Sequence, residues 1–304
     1  MRQYLRRTFE NKQTLGLVLV GYLSIVWGTT YLAVKIAIRT VPVFLMTGAR
    51  ELLAGALLLL LALIVEKPRR FPLSTIIRQG VYGFGFFTGA RGLMALSLDY
   101  VQSGLVALIF SLIPVYVLFL NFFAGQFFIN RQIVLGLALG ALGMFLVFRE
   151  SLGGLGAPDQ LLGIGIALLA ALSWAGTSVL VAGKQETMPP LFRSAVQLFF
   201  GAAGLALISV LRGETVELGA VSTEAVLAIV YLAVFGSVSA FVAFVFAIKY
   251  LPVARATLYA YLNPFVALFL GWLVLDEPLT LGLIGTFSIT LAGVFLVNRG
   301  YREG

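Results

Sequence analysis

Residues 15–34 read LGLVLVGYLSIVWGTTYLAV and residues 162–181 read LGIGIALLAALSWAGTSVLV. Each run carries twenty residues without an Asp, Glu, Lys or Arg, and at about 1.5 Å per helical residue such a run crosses a hydrocarbon core about 30 Å thick. Laid over one another, Leu15 and Gly16 meet Leu162 and Gly163, Trp27 meets Trp174, and Thr30 meets Thr177. Transmembrane strands alternate apolar and polar residues over about ten positions, whereas these runs are apolar on every side. The two stretches therefore read as membrane helices and as copies of one another.

The rest of the chain follows the same pattern. Further stretches without a charged residue lie at 100–130, 132–148, 194–211, 225–248, 256–275 and 278–298. Allowing spans to include a few polar residues predicts ten helices, near 15–35, 43–65, 75–97, 102–124, 132–148, 160–182, 191–211, 224–248, 253–275 and 279–298. Composition agrees: of 304 residues, 60% are hydrophobic and 11% charged, against about 25% charged in soluble domains. The chain has no His and no Cys, which excludes disulfides, thiolate and imidazole catalysis and the usual zinc sites. No catalytic residue, metal or cofactor is expected. The first span follows Arg2, Arg6, Arg7 and Lys12 and lacks a small-residue cleavage site, so it is expected to stay as a helix rather than leave as a signal peptide.

Lys and Arg set the expected orientation. With the N-terminus in the cytoplasm, fifteen fall inside, among them Arg2, Arg69, Arg70, Arg131 and Arg302, and four fall outside, namely Lys35, Arg39, Arg149 and Arg212. Arg50 and Arg91 are left within the membrane. This positive-inside imbalance predicts a multi-pass plasma membrane protein with both termini cytoplasmic. The net charge of +8 belongs to these flanks, and no nucleic acid partner is implied; the lipid bilayer is the expected surroundings.

The duplication extends along the chain. Pro42 meets Pro189, Tyr100 meets Tyr250, Pro114 meets Pro264, Gly143 meets Gly293, and Phe145–Val147 meet Phe295–Val297, with the offset drifting from 147 to 150 residues. The expected organisation is a cytoplasmic tail at 1–14, a first five-helix repeat at 15–150, an external linker at 151–159 marked by Gly153, Gly154 and Gly156, a second repeat at 160–298 and a tail at 299–304. Five spans is an odd number, so the second repeat enters the membrane from the opposite side. Inverted repeats recur in secondary transporters, whose halves rock about a site near the midplane.

The residues also resemble a known family. Trp27-Gly28-Thr29-Thr30-Tyr31, then Pro42 and Arg50, then Tyr261-Leu262-Asn263-Pro264, Gly271 and Asp276-Glu277-Pro278-Leu279 are similar to motifs of the EamA branch of the drug/metabolite transporter superfamily. The resemblance covers nearly the whole chain. It implies a bacterial inner membrane exporter of small molecules, in a family that handles amino acids, sugars, nucleotide-linked metabolites and drugs. Phe127 stands where the second repeat has Glu277, and Ala175 stands where the first has Gly28.

Candidate site residues follow from polarity in an apolar setting. Trp27, Thr30, Tyr31 and Lys35 share one helix face at i, i+3, i+4 and i+8, and Trp174 and Thr177 repeat it more weakly. Such a stripe either packs between helices, with its hydroxyls bonded to their own backbone, or lines a wet cavity. Lys35 lies near enough to the outer surface to snorkel. Arg91, inside the third span, faces an insertion cost of at least about 2.5 kcal/mol, so it needs either a substrate anion or an internal partner. Its repeat counterpart is Phe241. Arg50 and Glu51 are neighbours in sequence, about 100° apart around a helix, and each is expected to find another partner, in a local structural ion pair or at the membrane interface; both are also candidates for ion or charge coupling. Gln197 is the counterpart of Arg50. Pro114 and Pro264 are candidate hinges that free the carbonyls of Phe110 and Ala260. Ser111, Tyr259, Tyr261 and Asn263 surround them and complete the candidate substrate-binding set. Gly136, Gly140 and Gly143, with Thr286, Thr290 and Gly293, read as close-packing positions.

The favoured expectation is a secondary transporter exporting small amphipathic metabolites, amino acids or related compounds, by alternating access. Cationic drug efflux is an alternative that favours a membrane-embedded carboxylate, for which Glu51 is the candidate. From another class, an integral membrane transferase or a noncatalytic scaffold remains, although a transferase generally needs clustered carboxylates or a competent base.

Overall fold

The structure, a computed structural model, describes residues 2–300 apart from 68–69, 124–129, 154–157, 183, 185, 252 and 257. Phe127, Gly154 and Gly156, and Arg69 and Arg302 of the charge pattern, lie outside the described residues.

The described residues are helical, with turns between them and no strand among them. In chain order the helices are α1 (Arg2–Ala37), α2 (Val43–Val65), α3 (Leu73–Gly83), α4 (Leu93–Ser97), α5 (Ser103–Ser111), α6 (Ile113–Phe123), α7 (Arg131–Gly153), α8 (Pro158–Val181), α9 (Pro190–Leu211), α10 (Thr223–Tyr231), α11 (Ala240–Tyr250), α12 (Val253–Ala256), α13 (Tyr259–Leu275) and α14 (Leu281–Gly300). Among the described residues, six segments are long and apolar enough to cross a membrane: Lys12–Ala37, Val43–Val65, Ser103–Asn121, Pro158–Val181, Pro190–Leu211 and Thr223–Tyr250. Shorter apolar helices cover Arg131–Gly143, Tyr259–Leu275 and Leu281–Val297. Large apolar side chains such as Ile25, Leu60, Ile64, Val81, Phe119 and Leu207 stand on the outside, a surface suited to lipid tails rather than water.

Several boundaries depart from the expected spans. The 1–14 segment expected as a tail is helical from Arg2 onwards, continuous with the first span. Pro114 coincides with a true break: α5 ends at Ser111 and α6 begins at Ile113, because proline has no N–H for the carbonyl four residues back and its ring clashes there. Pro264 leaves α13 unbroken. It lies near that helix's start, so the donor it removes would have served only Ala260, in the first turn.

Two spans contain π-helical segments that no periodicity signalled. Phe84–Gly92 joins α3 to α4, and Leu232–Ser239 joins α10 to α11. The extra residue per turn releases carbonyls from the regular ladder, and such segments often mark functional sites.

Helix pairing is regular. Helix α2 packs on α9 and α7 on α14; α1 packs on α10, α11 and α13, while α8 packs on α4, the Phe84–Gly92 segment, α5 and α6. Association in a bilayer rests on close packing more than on apolar burial, and small residues supply it. A Cβ at Gly136 would lie 2.6 Å from the Gly293 carbonyl across the α7–α14 contact. A Cβ at Gly28 would lie 2.5 Å from Val266 Cβ on α13. The central core collects Val106, Leu108, Ile109, Ile164, Ala170, Ala171 and Phe287.

Both ends of the α2–α9 pair are tied by carboxylates. Glu66, just past α2, accepts from the Leu191 and Phe192 amides at 2.9 Å each. Glu214, just past α9, accepts from the Phe44 and Leu45 amides at 3.3 and 2.9 Å. Neither helix has a side-chain cap from its own N-cap residue, which is Pro42 in one and Pro189 in the other. Each helix therefore receives the anion that its free N–H groups and dipole favour from the end of its antiparallel neighbour.

Candidate functional site

A cavity of about 330 Å³ lies among α1, α2, both π-helical segments, α4, α5, α6, α8 and α13. Helix α1 contributes Trp27, Thr30 and Tyr31; α2 contributes Arg50; the first π-helical segment and α4 contribute Arg91 and Met94. Ala107, Phe110, Ser111, Ile113 and Pro114 line it across the α5–α6 break, Trp174 from α8, Gly236 from the second π-helical segment, and Tyr259, Ala260 and Asn263 from α13.

The polar and aromatic walls are fixed by neighbouring elements. Trp27 Nε1 donates to the Gly236 carbonyl at 3.1 Å, using an acceptor in the second π-helical segment. The Trp27 ring stands edge-on to Tyr259, centroids 4.5 Å apart, and tilted against Phe244 at 5.9 Å. Thr30 Oγ1 donates to the Trp27 carbonyl at 2.6 Å, and Ser111 Oγ to that of Leu108 at 2.6 Å. Both hydroxyls are thus satisfied within their own helices, as the packing reading requires, and both nonetheless face the cavity. With its amide nitrogen turned inward, Asn263 donates to the Ser24 carbonyl at 3.0 Å and the Tyr259 carbonyl at 2.9 Å, pinning α13 to α1. Phe110 and Ala260, whose carbonyls lack the proline N–H four residues on, are both wall residues.

The charges cluster at one wall. Arg91 Nη1 lies 2.9 Å from each oxygen of Glu51 and 3.3 Å from Ser237 Oγ, and its guanidinium sits over the Phe87 ring at 4.8 Å. Arg50 Nη2 reaches the same Ser237 Oγ at 3.3 Å. Its Nε stands 3.7 Å from Glu51 Oε1 and has no hydrogen-bond partner. Arg91 therefore has the internal partner that its membrane depth demanded. Glu51 does find another partner in Arg91, whereas the long Arg50 side chain folds back towards its own sequence neighbour, a geometry that backbone angle alone did not anticipate.

Lys35 does not snorkel. Its Nζ bonds Glu277 Oε1 at 2.7 Å, and Glu277 also accepts from Ser103 N at 3.0 and 3.1 Å and from Ser103 Oγ at 2.7 Å. The ion pair joins the end of α1 to the start of α5 and the loop after α13.

Other candidate residues flank the cavity without lining it. Thr177 Oγ1 donates to the Ser173 carbonyl at 2.8 Å, Gln197 Nε2 bonds Gln79 Oε1 at 2.7 Å, and Phe241 packs against the apolar cluster that contains Leu58 and Leu198. The Tyr261 hydroxyl points to Val294 O at 3.4 Å and its ring lies against Phe295. Pro264 is buried in α13. Sequence reasoning missed Met94, Ala107, Ile113 and Gly236. These are unremarkable apolar residues whose position depends on the α5–α6 break and the π-helical segments.

A polytopic all-α membrane protein with a central cavity walled by aromatic and charged residues is the class that this fold and site define. The model of the EamA-like transporter family matches residues 14–149 and again 161–299. The chain belongs to that family, within the drug/metabolite transporter superfamily. It is 31% identical over 253 residues to the inner membrane transporter YedA of Escherichia coli K12, covering 82% of this chain and 79% of the relative. It is 26% identical over 288 residues to the transporter YoaV of Bacillus subtilis 168, covering 92% and 96%, and 27% identical over 284 residues to a chloroplastic WAT1-related protein of Arabidopsis thaliana, covering 91% and 67%. A crystal structure of a protein 20% identical in sequence shares the fold with a TM-score of 0.64, over 95% of this chain and 98% of that one.

Proposed function

We propose that this protein is a secondary transporter of the bacterial inner membrane that exports small amphipathic metabolites, amino acids or related compounds, by alternating access. The observation that carries this reading is the cavity: it draws walls from both matched halves of the chain and combines aromatic faces with guanidinium charge. A ten-span architecture of two inverted five-helix repeats, 15–150 and 160–298, joined at 151–159, is part of the proposal. Its support is the double family match, the π-helical segment and the carboxylate cap found in each half, and helix pairings that exchange when the halves are exchanged. Such symmetry suits two halves that rock about a shared site.

Glu51 is held by Arg91, which disfavours it as a receptor for a cationic drug. Trp27, Thr30, Tyr31, Ser111, Trp174, Tyr259 and Asn263 are the proposed substrate contacts, beside a wall that carries the guanidinium groups of Arg50 and Arg91, with Pro114 at a hinge and Pro264 shaping α13.

The test is transport by the purified chain in liposomes loaded with radiolabelled amino acids and related metabolites. Release above that of protein-free liposomes is expected for at least one compound; no release of any would sink the transport reading. Orientation is tested in the same system. With no native cysteine, single Cys substitutions at Thr8 and Ser74 should react with an impermeant reagent from the cytoplasmic side, and those at Ala157 and Ser222 from the other. The reverse pattern would reject cytoplasmic termini.

A further inference from the structure

Two guanidinium groups line the cavity, and one buried carboxylate is paired with them. Arg50 is 3% exposed, Glu51 0% and Arg91 15%. Arg50 and Arg91 are the charged residues that line the cavity, so the cluster leaves one positive charge uncompensated at its surface. A desolvated charge without a partner is costly, and the charge is shared unevenly. Arg91 has both Glu51 oxygens, Ser237 and the Phe87 ring. Arg50 has one long bond to Ser237 Oγ and an unpartnered, buried Nε. Each arginine engages one nitrogen, Nη2 of Arg50 and Nη1 of Arg91, and the difference lies in the acceptor: Arg91 has the Glu51 carboxylate, whereas Arg50 has only a hydroxyl.

We infer that the cavity takes a monoanionic ligand, a carboxylate on an apolar body, and that Arg50 rather than Arg91 supplies the guanidinium that meets it. Glu51 and Arg91 act as a neutral frame that positions Arg50 through Ser237. A single negative charge balances the cluster, whereas a dianion such as phosphate would leave a buried negative excess. The ring walls of Trp27, Tyr259 and Phe110 suit the apolar body. The inference deepens the transport reading by taking the cavity as the site of the transported molecule.

The test uses the full chain in lipid nanodiscs, with calorimetric titration of phenylacetate and hexanoate, their primary amides, and inorganic phosphate. The carboxylates should bind at least about 10-fold tighter than the amides, the worth of one charge-assisted hydrogen bond, and tighter than phosphate. Two double variants then separate charge from contact. Glu51→Gln with Arg91→Gln keeps Arg50 as the sole charge, and Glu51→Gln with Arg50→Gln keeps Arg91; both carry the same net charge. The first should retain the carboxylate preference and the second should lose it, with circular dichroism confirming that both are folded. Arg50→Lys in the wild-type frame should recover part of the preference, because the charge stays and the planar fork is lost.

Failure of any carboxylate to bind above its amide, tighter phosphate binding, or preference retained only with Arg91 would each overturn the inference. Liposome flux of the same probes keeps the two readings apart. Arg50-dependent binding without flux leaves the inference standing and removes transport, while flux with a carboxylate preference indifferent to Arg50 does the reverse.

Discussion

Replacing Glu51 with Gln isolates the energetics of the buried cluster. Glu51 is fully buried, 2.9 Å from Arg91 and 3.7 Å from Arg50. At an effective dielectric of about 20, attractions at these separations are about 6 and about 4 kcal/mol, offset by the desolvation that Glu51 no longer undergoes. Removing one partner of a buried ion pair costs about 3–5 kcal/mol net, because the remaining charge is left uncompensated. Here two are left facing one Ser237 hydroxyl. Glu51→Gln should therefore lower the unfolding free energy by about 3–5 kcal/mol, read from SDS titration of the purified protein followed by far-ultraviolet circular dichroism. Adding Arg91→Gln removes the second charge and should recover most of that loss, since replacing a whole buried pair is often close to neutral. If Glu51→Gln stays within about 1 kcal/mol of wild type, or if the double variant is no more stable than the single one, water or lipid already compensates the guanidinium groups and the argument fails.

Three further outcomes follow from the packing and the caps. Glu66→Gln and Glu214→Gln should each cost about 1 kcal/mol and speed hydrogen exchange at the amide pairs Leu191–Phe192 and Phe44–Leu45 respectively; unchanged exchange would show that these carboxylates do not cap. Gly83→Ala drives a methyl into the Gln197 carbonyl across the α3–α9 contact and should cost about 1–3 kcal/mol, whereas Gly21→Ala meets no atom within 4 Å and should be neutral or stabilising by up to about 1 kcal/mol; SDS unfolding of the two variants checks both, and an equal loss in each would refute the packing account. Trp27→Ala should abolish most transport with the fold kept, while Tyr261→Ala, which empties a space against Phe295, should lower stability by about 3 kcal/mol; liposome flux beside unfolding curves distinguishes the two, and transport loss confined to Tyr261→Ala would reverse their assignments.

The residues that carried the site reading divide by the kind of information they needed. Trp27, Thr30 and Tyr31 were legible because they lie within one helix, whose period fixes a shared face before any tertiary contact exists. Arg91 was legible as a residue in need of a partner, since its cost comes from burial in hydrocarbon and not from its neighbours. Its partner was not legible. Glu51 is 40 residues away in sequence and Ser237 is 146 away, and Lys35 meets Glu277 across 242 residues.

The sequence by itself determined that this is an all-α membrane protein, because twenty apolar residues in a row have few other ways to satisfy their backbone in a bilayer. Paired Trp and Pro residues likewise displayed its matched halves. Only the tertiary structure decided which charges meet, which aromatic residues reach the cavity and where Glu66 and Glu214 cap their neighbours. Those outcomes depend on helix crossings and on two π-helical segments that rotate the residues after them. A shift of one residue per turn changes which face of a helix points inward, and neither composition nor local periodicity records it.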